Sequence, residues 1–355
     1  MTAGLQVRRT GRAHHLVLRA PGGRLSLRVH LRALITGTVL LLIALSVALV
    51  SLSTGDFPVP VADVLRSLIG QGDPGTDFIV YELRLPRVLI TLLVGVALGV
   101  SGTIFQGLTR NPLGSPDFVG LTVGAASGAL VVILLLGGGI QVAAGAVTGC
   151  LATAVAIYLL AFRRGVQPFR LVLMGIGVSA LLDSVNSYLI YRSRLDEALA
   201  AQLWLIGSVN GRGWTEVALV AVTVAVLLPI VLHHGRHLDM LALGDETAAL
   251  HGVPVERSRA VLALAGVGLA AGATAAAGPI AFVALAAPPL AARLTRSPHA
   301  GILPAALMGA ALLSAADWVA QHALTGHDVP VGVVTAALGG IYLTWLLFHD
   351  RRTGG

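Results

Sequence analysis

Ten stretches of the chain are nearly uninterrupted runs of Ala, Val, Ile, Leu and Gly, separated by shorter segments that collect Arg, Asp, Asn and Pro. A helix needs ~20 apolar residues to cross hydrocarbon. The runs predict membrane-spanning helices over about 33–52, 85–107, 117–137, 141–162, 170–191, 215–233, 260–277, 280–295, 303–320 and 330–348. The expected fold is therefore an all-α polytopic membrane protein of about ten transmembrane helices. It divides into a basic arm at 1–32, a transmembrane domain at 33–349 and a short tail at 350–355. Small residues recur every fourth position within the runs, at Gly95 and Gly99, Gly120, Gly124 and Gly128, Gly145 and Gly149, and Gly268 and Gly272. Such faces let helix backbones approach closely, and dense packing inside one bundle is the expectation over a dimer face. The stretch 95–103 is echoed at 266–274, a match that a repeated half and a composition this biased would both produce.

Composition agrees: 55% of residues are hydrophobic and 12% charged, where soluble domains carry roughly 25% charged residues. Mean hydropathy is +0.84. The net charge of +7 belongs to its placement along the chain and does not point to nucleic acid. With alternating spans and an internal start, eighteen arginines fall on one side and six on the other. The positive-inside rule then puts both termini in the cytoplasm, and seven arginines hold the arm near anionic lipid. All 24 basic residues are arginine. The phosphate-binding loop G-x-x-x-x-G-K-[ST] needs a lysine, so any ATP that drives this chain is bound by another. Cys150 is the sole cysteine, which excludes an internal disulfide.

Polar residues inside or beside the spans carry the candidate chemistry. Ser179, Asp183, Asn186 and Ser187 fall on one helical face of the fifth span. An acid there is costly unless it meets water or protein, which leaves a lined path, a proton-coupled acid or interhelical hydrogen bonds. Arg84 and Arg87 open the second span, as interfacial anchors or as a docking charge. Asn111, Pro112 and Pro116 form the turn after it. The polar segment 238–259 can form a helix between Asp245 and His251 and is broken at Gly252 and Pro254. His233, His234 and His237 form an H-H-x-x-H cluster, read as a solvated boundary group over a metal site.

Together these motifs resemble the FecCD/cobalamin-type permease family of ABC importers for iron-siderophores, haem and cobalamin. R-L-P-R at 84–87, Gln106 with N-P-L-G-S-P at 111–116, L-A-L-G-D at 241–245 with Ala248 and Gly252, G-P-I-A-F-V at 278–283, Pro288 with Arg293, Asp317, and Pro330 opening the last span carry the resemblance. Ala284, Pro289 and Gln321 depart from the family's glycine, histidine and arginine. The resemblance implies a type II importer permease, not an enzyme, in the bacterial plasma membrane. In it Ser179, Asp183, Asn186 and Ser187 border the substrate path, and Arg84 and Arg87 meet acidic residues of a substrate-binding protein. Leu243, Gly244, Asp245, Ala248 and Gly252 form the coupling segment that fits an ATPase. The implied partners are two ABC ATPase subunits, the binding protein and a second permease, a heterodimer being expected over a homodimer. The chain itself binds no cofactor or metal, and ATP sits on the ATPase. The A-L-A-A-P form at 284–288 is similar to the ferric enterobactin-like branch, so a ferric siderophore is the expected cargo. Cobalamin or haem import, or proton-driven secondary transport through Asp183 and Asp317, are the alternatives.

Overall fold

The computed structural model describes residues 8–10, 15–19, 26–55, 57–117, 119–137, 139, 141–161, 168–297, 301–323 and 329–353. Among them, seven helices are long and apolar enough to span a membrane, and three shorter apolar helices bring the count to the ten the hydrophobic pattern predicts. The order of elements follows from where that pattern breaks.

Three strands, β1 (Arg8–Thr10), β2 (His15–Arg19) and β3 (Ser26–His30), pair antiparallel in sequence order, and β3 runs directly into α1 (Leu31–Ser53). Strands in the arm are a departure from an all-α chain, confined to the segment before the first span. Short helices α2 (Val61–Leu68) and α3 (Pro74–Asp77) follow, then a π-helical segment Phe78–Arg84 that continues as α4 (Leu85–Thr109). The next spans are α5 (Leu121–Leu136), α6 (Gln141–Ala161) and α7 (Pro168–Arg192). A short α8 (Leu195–Ile206), which no apolar run announced, leads to the span α9 (Trp214–His233). The elbow α10 (Gly235–Ala242) and α11 (Asp245–Leu250) precedes the spans α12 (Val255–Ala277), α13 (Val283–Thr295), α14 (Ile302–His322) and α15 (Val331–Thr353). The third span starts at Leu121 and not at 117, because Pro116 and the left-handed Gly120 (φ 86°) keep the intervening residues in a turn.

Burial separates centre from periphery. The apolar windows of α4 and α12 are 78% and 72% buried, against 17% for α1 and 11% for α7. Large aliphatic residues exposed on α1, such as Leu34, Ile35 and Leu42, present an apolar surface suited to lipid. The central contacts use the small residues. A Cβ on Gly95 would stand 2.5 Å from the Gly309 carbonyl, so α4 and α14 approach backbone to backbone. Gly128 and Gly145 bring α5 and α6 together in the same way. The echoed stretches lie on α4 and α12 and meet directly, the Ser101 hydroxyl donating to the Gly266 carbonyl at 2.8 Å. That hydrogen bond fixes the contact between α4 and α12 where apolar packing alone would leave register open.

Candidate functional site

At one end of the bundle, α10 and α11 form an elbow between α9 and α12. Gly244 (φ 120°) and Gly252 (φ 77°) bracket α11, both in backbone conformations that L side chains rarely adopt. Between them the half-exposed Asp245 carboxylate pairs with Arg259 at 2.7 Å and with Arg110 at 3.5 Å. Arg259 belongs to α12 and Arg110 caps α4 in a left-handed conformation (φ 52°), so one carboxylate joins the elbow to both central helices. Ala248 is buried in the core, whereas Leu243 and Leu250 are 59% and 88% exposed. The residues singled out from sequence thus have two roles. Gly244, Asp245, Ala248 and Gly252 shape and seat the helix, and Leu243 with Leu250 face away from the protein. Leu250 was not among the expected residues; the signal that could have found it is a large apolar side chain within the polar segment 238–259, at the last position of α11.

Gln106, Asn111 and Arg110 lie beside this elbow. The Gln106 amide donates to the Leu285 carbonyl at 3.0 Å, tying α4 to α13. The Asn111 side chain accepts from the Leu113 N–H at 2.9 Å, an Asx-type turn that ends α4 before Pro112 and the buried Pro116. Pro288, inside α13, and Arg293 line a cavity of about 590 Å³ together with Gln106, Arg110 and Arg296. The Arg293 guanidinium sits 4.7 Å from the Trp345 ring centroid of α15, within cation–π range.

At the opposite end, both arginines of the R-L-P-R motif are engaged within the chain. Arg84 donates to the Leu52 carbonyl at 2.7 Å and to the Phe57 carbonyl at 2.6 Å, fastening the end of α1. Arg87 pairs with Asp317 of α14 at 2.9 Å and reaches the Asn210 side chain at 3.4 Å. Asp317 is 3% exposed at its side chain and also accepts from the Gln321 amide at 2.8 Å. Gln321 thereby adds a hydrogen bond to the buried carboxylate without adding a second charge. Gly278 (φ 75°) and Pro279 pack against Gly207, and Pro330 precedes α15. Most motif residues are thus joints between helices.

The polar side chains of α7 divide between two surroundings. Ser179 donates to the Gly175 carbonyl and packs on Gly120, and Asn186 is buried. Asp183 and Ser187 are exposed. At 100° per residue the four positions cover an arc of roughly 100°, wide enough for one edge to face the bundle and the other to leave it. The side chain of Asn186 has an oxygen with no hydrogen-bond partner among the described residues. Near Ser179, the turn before α5 places Asp117, which the sequence reading did not single out, against the bundle interior. His234 stacks edge-on with His233 and His237, and His237 shares a hydrogen bond with Ser258 at 2.9 Å.

Residues 40–349 match the FecCD transport family. The ferric enterobactin transport system permease protein FepG of Escherichia coli K12 is 44% identical over 322 residues, covering 90% of this chain and 98% of that protein. The achromobactin transport system permease protein CbrC of Dickeya dadantii is 38% identical over 349 residues, covering 97% of this chain and 99% of that protein. A solved structure described as an inward-facing metal-chelate type ABC transporter superposes with a TM-score of 0.78 at 27% identity, covering 88% of this chain and 98% of its own. The similarity runs through both echoed stretches and the elbow between them, and the chain belongs to the FecCD transport family.

Proposed function

We propose that this chain is the permease subunit of an ATP-driven ABC importer that carries a ferric siderophore across the bacterial plasma membrane, both termini being cytoplasmic. The observation that carries this reading is the elbow. Two exposed leucines, Leu243 at the end of α10 and Leu250 at the end of α11, flank the segment that Asp245 holds to α4 and α12. That arrangement suits a lever: an ATPase grips Leu243 and Leu250, and the ion pairs pass its displacement to the two most buried helices. ATP is bound and hydrolysed on the ATPase, and this chain performs no covalent chemistry. The end carrying Arg84 and Arg87 receives the substrate-binding protein, the charge of Arg84 steering an acidic partner while Arg87, offset by Asp317, holds α14 at that end.

The exposed edge of α7 supports a second permease. Asp183 and Ser187 need water or protein beside them, and a different partner permease, with the substrate path between the two, supplies both. Proton-driven transport is the less favoured reading, since Asp317 already has Arg87 as its counter-ion.

The test is Leu250→Asp in the purified complex. The variant is expected to insert and fold normally, to lose co-purifying ATPase, and to abolish stimulation of ATP hydrolysis by loaded binding protein. Retained ATPase with full stimulation would overturn the coupling role.

A further inference from the structure

The turn joining α4 to α5 holds an acid that none of the assignments above uses. The carboxyl of Asp117 lies beside the Thr122 side chain and the Phe282 backbone; its Oδ1 is buried with no hydrogen-bond partner among the described residues, while the residue as a whole is half-buried. An unsatisfied polar atom shut away from water costs folding free energy. An ionisable group at such a place in a membrane bundle marks a functional position.

Its surroundings say which. Asp117 and Thr122 line a cavity of about 470 Å³ whose other lining includes Ile206 of α8, Pro279, and Val333 and Ala336 of α15. Asp117 and Thr122 supply the polar side chains among its lining residues. Apolar walls with a few convergent polar groups are the usual build of a small-molecule pocket. Two further features bear on it. Phe282, next to the cavity wall at Ala281, is held at φ 69°, a conformation an aromatic residue rarely adopts. On its other side the turn packs on the polar edge of α7, through Gly120 on Ser179 and Val119 on Gly175. The turn that walls the cavity is thereby seated on α7, the helix whose polar residues border the path in the reading above.

We infer that this cavity is a ligand station on the translocation path and that Asp117 is its polar anchor, accepting hydrogen bonds from N–H or O–H groups at the periphery of the transported chelate. The inference rests on the import reading above. It moves the polar contact from α7 to the α4–α5 turn and makes peripheral hydrogen-bond donors the recognised chemistry.

The experiment uses the complete transporter in proteoliposomes, with loaded binding protein. Uptake is compared for a ferric trihydroxamate bearing a free terminal amine and for its N-acetylated form. Wild type is expected to favour the amine form; Asp117→Asn reduces the preference, and Asp117→Leu removes it, with amine-form uptake down about tenfold. An unchanged preference in Asp117→Leu overturns the proposal. Val333→Cys in a Cys150→Ala background keeps the test valid if Asp117→Leu fails to fold. Maleimide labelling at 333 should slow at least threefold during ATP-driven turnover with ligand, and equal labelling with and without ligand overturns the station. If wild type imports neither chelate, hydroxamates are excluded as cargo, and labelling at 333 during turnover of a ferric catecholate, cobalamin or haem decides the cavity alone, import of the catecholate keeping the siderophore reading and import of cobalamin or haem only overturning it.

Discussion

Breaking the pair between Arg87 and Asp317 is the sharpest energetic test of this bundle. Asp317→Ala leaves the Arg87 guanidinium, 16% exposed at its side chain, with Asn210 at 3.4 Å as its remaining described side-chain partner. Arg87→Ala leaves a carboxylate 3% exposed with only the Gln321 amide to offset it among the described contacts. Removing one member of a buried pair costs ~3–5 kcal/mol, because the survivor stays desolvated, whereas replacing both by apolar residues of similar size is often neutral. Each single variant should therefore lose ~3–5 kcal/mol, and Arg87→Met with Asp317→Leu should recover most of it. At ~2 °C per kcal/mol for a chain of this size, thermal unfolding in detergent should fall by ~6–10 °C in the single variants and by less than ~3 °C in the double. A double variant as unstable as the sum of the singles would refute the pairing argument, since additivity is the signature of independent sites.

Three further outcomes follow from the packing. Gly102→Ala places a Cβ against the Ala284 carbonyl where α4 meets α13, and overpacking of this kind costs ~1–3 kcal/mol; a melting temperature equal to wild type would contradict the close approach. Gln106→Leu removes the donor to the Leu285 carbonyl and should cost ~1 kcal/mol, read as a ~2 °C lower transition. Cys150, buried at 1% exposure in α6, should resist maleimide in the folded protein and react only after denaturation; rapid labelling of the native chain would show that α6 faces an open path.

The spans were legible because burial in lipid imposes a single strong requirement, ~20 apolar residues in sequence; among the described residues seven of the ten runs meet it in full and three form shorter apolar helices. Short elements were not. α8 sits outside the span pattern, and α2 and α3 are too short for periodicity to declare. Motif positions such as Gly244, Asp245 and Gly252 were found at the elbow, but their orientation was invisible, because nothing in the chain tells which side of a six-residue helix faces Arg259. The same limit applies to Arg87. Its charge is plain in the sequence, while its counter-ion stands 230 positions away on α14. Asp117 passed unnoticed beside the prolines of its turn, since an unpaired oxygen is a property of three-dimensional surroundings.

The central claim is that Asp245 couples an ATPase to import of a ferric siderophore. Its most direct measurement is uptake of labelled ferric siderophores, haem and cobalamin by cells lacking the gene, complemented with wild type or Asp245→Ala. Asp245 is 43% exposed at its side chain, so the variant should lose only ~1 kcal/mol of stability and reach the membrane at normal levels. Selective loss of a ferric siderophore, restored by wild type and not by Asp245→Ala, is the predicted result. Full restoration by Asp245→Ala would contradict the coupling, and unchanged iron uptake with lost cobalamin or haem uptake would contradict the cargo.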